Sequence, residues 1–321
     1  LLRRLLWSVV LVAALSGPRA DAGGTASSEW DRGPSWQAAA IAALVQRGDA
    51  ASLATAALLS LKHAAGDAAA ALELATRASE AAADDPAIGW IHVRVCASVP
   101  GCDLRDAATA VRWLDPDNAA AWLPTLAAAQ RDKDGTEVDR VLADMAQGER
   151  FDFYWNRIVA LMYDALKAVS RNLPKNALES DALRLDSVAG LAAGEVMPPL
   201  RPLMDACRES SLATERRESC LKIAKSMQQG DTIMTQIAGL ELERRFVAPD
   251  GREFRTLAER RRTLEWRVAN AEQFAAPVLP WLKNAHARWR IARMRSLPRE
   301  DDVLIAILRA QGMPIDPPEV K

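Results

Sequence analysis

The sequence predicts an all-α protein, an α-solenoid-like array of antiparallel helix pairs behind a cleaved N-terminal signal peptide. Three observations carry that prediction. Half of the 321 residues are hydrophobic but only 5% are aromatic, with two Tyr and five Phe beside ten Trp, and Ala supplies about a fifth of the chain, above average usage. Strands draw on Tyr, Phe, Thr and Val, whereas this composition offers the best helix formers. Apolar residues also recur at helical spacing, and Gly-Asp and Asp-Pro pairs punctuate them at short intervals. The same composition excludes collagen, a multi-span membrane protein and a disordered tail.

The first residues carry the targeting signal. Arg3 and Arg4 form a positive segment, Leu5 to Leu15 an apolar one, and Ala20-Asp21-Ala22 supplies small residues for cleavage before Gly23. Residues 1–22 are therefore expected to be a signal peptide. Gly17, Pro18 and Arg19 break the apolar run short of the ~20 residues that span a bilayer, and an uncleaved anchor is the alternative. Residues 23–35 read as a flexible polar lead carrying Trp30. Export implies a periplasmic or secreted protein in an oxidising compartment, where cysteines are read as pairs. Four cysteines allow three connectivities. The spacing favours local bridges, Cys96 to Cys102 across Val99-Pro100-Gly101, and Cys207 to Cys220 across a helix hairpin turning at Ser210 to Thr214, within the ~4.4–6.8 Å between α-carbons that a disulfide allows. No His stands near either pair and neither spacing is Cys-Xaa-Xaa-Cys, so neither a zinc site nor a redox-active pair is expected.

From Trp36 the pattern is helical almost without pause. Val138, Val141, Leu142 and Met145 build one apolar face at i, i+3, i+4 and i+7, and Ile158, Leu161, Met162, Ala165 and Val169 build another. Thr136, with Asp139 three residues on, reads as the N-cap of the helix containing Val138. Gly48-Asp49, Gly66-Asp67 and Gly230-Asp231 read as a C′ glycine followed by a capping aspartate, ending one helix and starting the next. Short connections imply antiparallel neighbours. Asp85-Pro86 and Asp115-Pro116 follow 30 residues apart, each preceding a helix with a Trp near its start, Trp90 and Trp122.

That recurrence resembles a tetratricopeptide repeat array (TPR-like) over roughly Gly66 to Ala146. Gly66 through Ala71, Leu72, Leu74, Ala75 and Ala78 to Asp85-Pro86 resembles the second helix of a repeat and its exit, and Asp115 to Trp122 resembles the approach to the next first helix. The resemblance implies small Ala residues at close helix crossings and Pro at the repeat boundaries. Residues 36–171 are accordingly expected as Ala-rich repeats. Residues 172–321 form an Arg-rich helical region whose start is broken by Pro174, Pro198, Pro199 and Pro202. Charge divides the same way: Gly23 to Arg150 holds 11 basic against 18 acidic residues, and Leu240 to Glu300 holds 14 against 8.

Few residues point to chemistry. His63, His92 and His286 are scattered, and a structural or surface role is expected for each. Ser219-Cys220-Leu221-Lys222 fits a Ser-Xaa-Xaa-Lys pattern, but its companion motifs are absent and Cys220 is needed for a disulfide. No Gly-rich phosphate loop occurs. Glu241, Glu243, Glu259 and Glu265 lie among arginines, which lower a carboxylate's pKa, the wrong direction for a general acid; surface ion pairing is expected of them. Arg260, Arg261, Arg262, Arg267, Arg288, Arg290, Arg293 and Arg295, with Trp266, Trp281 and Trp289 interleaved, are the candidate surface for an anionic partner. Export argues against nucleic acid and leaves anionic lipid, an acidic envelope polymer or the acidic first half of the chain. Trp90, Trp113 and Trp122 are expected to pack between helices. No catalytic residue, metal ligand or cofactor-binding residue is assigned. The function expected is a non-catalytic scaffold holding a protein or peptide partner in the cell envelope. A cell-wall hydrolase, which would need a cleft carboxylate freed from arginine, and a membrane-surface or anionic-polymer binder are the alternatives.

Overall fold

Aspartate side chains start the early helices. Asp49 accepts the Ser52 N–H at 2.9 Å, Asp67 that of Ala69 at 2.8 Å, Asp85 that of Ala87 at 2.9 Å, Asp103 that of Arg105 at 3.0 Å and Asp134 that of Glu137 at 3.0 Å. Each satisfies an N–H that the first helical turn leaves without a partner, worth about 1 kcal/mol per cap. The computed structural model describes residues 34–62, 67–174, 178–208, 213–274 and 280–318. The expected signal peptide and nearly all of the lead lie outside them, as do Gly66 and His63.

The described residues form fifteen α-helices and no strand. They are α1 (Pro34–Arg47), α2 (Ala50–Lys62), α3 (Ala68–Ala81), α4 (Pro86–Cys96), α5 (Leu104–Leu114), α6 (Leu123–Arg131), α7 (Gly135–Met145), α8 (Trp155–Val169), α9 (Asp181–Glu195), α10 (Arg201–Ala206), α11 (Thr214–Met227), α12 (Ile233–Arg244), α13 (Arg252–Phe274), α14 (Pro280–Ser296) and α15 (Glu300–Ala310). A 3₁₀ turn, Ala119–Trp122, precedes α6. Among the described residues no helix is long and apolar enough to cross a membrane.

Helices α2 to α7 pack each on the next, and α2 also reaches α4. Alanines permit this: Ala54, Ala56 and Ala57 of α2 and Ala71, Ala75 and Ala78 of α3 are all buried. Helix α4 is buried nearly all round, through Ala87, Ile88, Trp90, Ile91, Val93, Val95 and Cys96, as a helix packed on several sides must be. At α8 the succession stops. Helix α8 returns to α2 and α4 and carries α9 and α14, while α7 meets α11, which leads through α12 and α13 to α15 and so to α14. The order of neighbours thus closes, and α8 joins the first helices to the last.

Helix C-termini are tied by arginine. Arg94 Nε donates to the Glu195 carbonyl at 3.0 Å, Arg217 to that of Phe246 at 2.7 Å and Arg245 to that of Met204 at 3.0 Å. A cation at the end of a helix satisfies a carbonyl without a helical partner and complements the dipole there. Both disulfides form as the spacing predicts, Cys96–Cys102 with α-carbons 5.4 Å apart and Cys207–Cys220 at 5.8 Å. Gly101, in the first bridge's turn, has φ +82°, which glycine adopts without a Cβ penalty; most of the second bridge's expected turn lies outside the described residues.

Asp115-Pro116 precedes a helix with Trp122 at its start, as expected; Asp115 itself closes α5, and Asn118 caps the 3₁₀ turn by accepting the Ala120 N–H. Three local expectations are corrected. The N-cap of α7 is Asp134 and not Thr136, because the helix opens at Gly135. Gly230-Asp231 is not a C′ glycine and cap. A Cβ on Gly230 would lie 2.8 Å from the Phe151 carbonyl oxygen, so contact selects the glycine, and Thr232 caps α12. Trp113 does not pack between helices but is 83% exposed. It falls two residues beyond Val111, the last residue of the buried face Ala107, Ala108 and Val111, and so on the opposite side of α5.

Helices α11 and α12 approach so closely that a Cβ on Gly239 would lie 2.7 Å from the Ala224 carbonyl oxygen. Gly to Ala inside a helix ordinarily gains about 1 kcal/mol. Overpacking costs about 1–3 kcal/mol, so the clash prevails and Gly239→Ala is expected to lower the urea midpoint; a midpoint equal to or above wild type would contradict this crossing.

Candidate functional site

Four of the chain's aromatic residues fall within five positions, Phe151, Phe153, Tyr154 and Trp155, with Asp152 among them. This segment enters α8 and folds against Trp90 of α4. Phe153 stacks on Trp90 with ring centroids 5.6 Å apart, Phe151 meets Phe153 edge-on at 5.8 Å, and the Trp90 Nε1–H donates to the Val196 carbonyl at 3.1 Å. Phe151, Phe153 and Trp90 are wholly buried. Large aromatic burial of this kind dominates core energetics and fixes the polar residues interleaved with it.

Those polar residues interlock two distant segments. The buried Asp231 carboxylate accepts the Phe153 N–H at 3.0 Å and the Trp155 N–H at 2.7 Å. The Asp231 N–H lies near the Asp152 carboxylate and favours its charged form. Beyond this clamp, Asn118 donates to the Asp152 carbonyl at 2.9 Å and to the Tyr154 hydroxyl at 3.0 Å, and accepts the Asp152 N–H at 2.9 Å. The Tyr154 hydroxyl donates to Asp115 at 2.7 Å, and Arg150 bonds both Asp115 and Asp152. A parallel bridge between Asn118 and Arg150 completes the junction. Tyr154 has φ +57°, a conformation uncommon outside glycine and held only where the surroundings over-determine it.

Above the junction lies an open cleft of about 790 Å³. Pro86, Leu114, Arg157, Leu161 and Asp164 line it together with residues 294–298. Two of its carboxylates are covered and its guanidiniums are not. Side chains of Asp115 and Asp152 are 8% and 17% exposed, whereas those of Arg150, Arg157 and Arg295 are 49%, 56% and 47% exposed, and Asp164 is 49% exposed. Arg157 holds Asp85 at 2.7 Å, and Arg295 holds Asp164. Burial, with Asp152 nearby, pushes Asp231 up to about 8 against the pull of its two N–H donors. Burial likewise raises Asp152, opposed by Arg150, and raises the Tyr154 hydroxyl. Among the described residues no group of three His, Cys, Asp or Glu side chains is placed to hold a metal.

The eight arginines proposed for an anionic partner are dispersed over α13 and α14. Arg261 bonds Glu241 and Glu265; Arg267 bonds Asp301 at 2.9 Å and Asp316 at 3.0 Å; Arg288 bonds Asp181 at 2.9 Å; Arg295 bonds Asp164. Arg260 donates to Gln228 at 2.6 Å, Arg293 lies over the Trp289 ring at 5.2 Å, Arg290 is half-buried and Arg262 is exposed. Of the four glutamates, Glu243 departs from surface pairing: it is buried and accepts from the Gln228 amide. His92 is half-buried with Thr76 Oγ1 3.4 Å away, and His286 stacks on Trp289 at 6.2 Å. The Trp281 side chain lies outside the described residues.

Comparison with protein-family models, with curated proteins and with solved structures finds no match to this chain.

The raised Asp231 and Asp152 carboxyls make stability fall as pH rises. Both are above the ordinary value near 3.8 in the folded chain, so the folded state binds more protons than the unfolded between about pH 4 and 8 and loses up to about 1.4 kcal/mol per pH unit for each proton released. Urea midpoints are expected to decline over that window in wild type and to decline less in Asp231→Asn. Identical slopes in the two proteins would contradict this.

Proposed function

We propose that this chain is an exported helical-repeat scaffold, periplasmic or secreted, that holds a protein or peptide partner. The observation that carries the proposal is Trp113, 83% exposed and next in sequence to Leu114, which lines the cleft. Truncation of one central Trp at an interface costs about 2 kcal/mol or more, and an aromatic next to a recessed, mixed polar and apolar groove is what such an interface requires. The two disulfides support an oxidising compartment. The succession α2 to α7, with aspartate caps and buried alanines at its crossings, supports degenerate tetratricopeptide-like pairs in the first half.

The cleft also bears on the hydrolase alternative, since Asp152 is a carboxyl with a raised pKa that lines it. Its ion pair with Arg150, in a segment that Asn118 holds through the Asp152 N–H, favours a structural role. Binding through the eight C-terminal arginines together is less favoured, because they are dispersed over α13 and α14 and Arg267 is mostly buried.

A photo-crosslinking side chain at Ala110, exposed three residues before Trp113, tests the proposal in envelope extracts. A defined adduct is expected from Ala110, lost in the Trp113→Ser background and absent when the same group replaces Arg262. Equal labelling at both positions, or labelling indifferent to Trp113, would count against a partner surface there, and turnover of a purified cell-wall polymer abolished by Asp152→Asn would favour the hydrolase.

A further inference from the structure

The cleft has a chemistry that selects among protein partners. Arg157, Leu161 and Asp164 of α8, with Ala160, stand at i, i+4, i+7 and i+3, one stripe of the helix, and all four line the cleft. The stripe extends about 10.5 Å from Arg157 to Asp164 at 1.5 Å per residue, the length of about three residues of extended chain. Ala160 in its middle keeps the groove deep, and Leu161 is half-buried there. Apolar side chains of Pro86, Leu114, Met294 and Leu297 line the same cleft.

Although carboxylates outnumber guanidiniums in the lining, the exposed charge is mostly positive. Asp115, Asp152 and Asp231 are covered, while Arg150, Arg157 and Arg295 stand about half exposed, with Asp164 the one exposed carboxylate of the lining. Arg157 commits only Nη2, to Asp85, and Arg295 commits Nε and Nη2, to Asp164. The remaining edges of those forks can take a second carboxylate, which a planar guanidinium binds with directional bonds.

We infer that the cleft receives an extended acidic-aliphatic segment of a partner protein, with a carboxylate at Arg157 and an aliphatic side chain over Ala160 and Leu161. This rests on the reading of the chain as a binding scaffold and names the occupant. Rim ion pairs contribute about 0.2–1 kcal/mol each, against about 2 kcal/mol or more for an anchored aromatic. Trp113 and the apolar walls therefore supply affinity, and the arginines supply the choice of acidic over basic sequence.

Fluorescence anisotropy with a labelled peptide of the pattern Gly-Asp-Leu-Glu-Leu-Asp-Gly tests the inference on the full chain. The peptide is expected to bind at least about tenfold more tightly, a difference of about 1.4 kcal/mol, than versions with Lys for each acidic residue or Ser for each Leu. Arg157→Gln and Trp113→Ser, both at exposed positions, are each expected to weaken it several-fold, and Arg262→Gln to leave it unchanged. Equal or tighter binding of the Lys peptide, or indifference to Arg157→Gln in a variant with an unaltered circular dichroism spectrum, overturns the inference. Trp113-dependent crosslinking at Ala110 together with no binding of the acidic peptide would overturn it as well, while leaving the scaffold reading in place.

Discussion

One buried carboxylate, holding two backbone N–H groups of a distant segment, joins the parts of this fold. Asp231, in the connection between α11 and α12, caps the start of α8 through Phe153 and Trp155, and Asp152 lies close to it. The same connection reaches α15, since the Asp231 carbonyl accepts the Glu300 N–H at 2.7 Å and Glu300 accepts the Ile233 N–H at 2.9 Å. Helices remote in sequence thus meet at one buried point. The arrangement has an internal opposition, because burial disfavours both charges and the two carboxyls repel, while the N–H groups favour them as anions. An unpartnered N–H buried at that point would cost about 1–3 kcal/mol, which explains why acceptors are retained despite the repulsion.

The cleft is a consequence of this junction. Tyr154, left-handed at the start of α8, can hold its hydroxyl on Asp115 and Asn118 only while the flanking N–H groups are fixed by Asp231. That in turn sets Arg150 over Asp115 and Asp152 and begins α8 in the register that places Arg157, Leu161 and Asp164 along the groove. Ion pairs elsewhere play a different part. Glu137–Arg140 and Arg201–Asp205, on exposed helix faces, add little to stability, whereas Arg267, mostly buried between Asp301 and the chain after α15, ties the end of the protein to α13.

The helical character, the two disulfides and the caps at Asp49 and Asp67 were legible in the sequence because each depends on neighbours a few residues away. The apolar faces of α7 and α8 were legible for the same reason, with Val141, Leu142, Ile158 and Met162 wholly buried. Gly230-Asp231 was misread because its partners lie more than 30 residues off: Asp231 finds Phe153 and Trp155. The ties of Asp115 to Arg150 and Tyr154 are as distant. Local hydrogen bonding and tertiary hydrogen bonding draw on the same residue types, and nothing in a single sequence says which prevails. The Phe151–Trp155 run was the available clue, since so dense an aromatic patch in a chain short of aromatics marks a convergence in the core. Trp113 was misplaced through its residue type; its phase on α5 relative to Val111 put it on the outer face.

The account rests on the N–H groups that the Asp231 carboxylate holds. Native-state hydrogen exchange at the amides of Phe153 and Trp155 measures this directly, since groups that open only with the whole protein exchange at the rate of global unfolding. Both are expected among the most protected amides of the chain, with exchange free energies matching that from denaturant unfolding. Exchange through local opening several kcal/mol below global unfolding, at either of the two, would contradict the account.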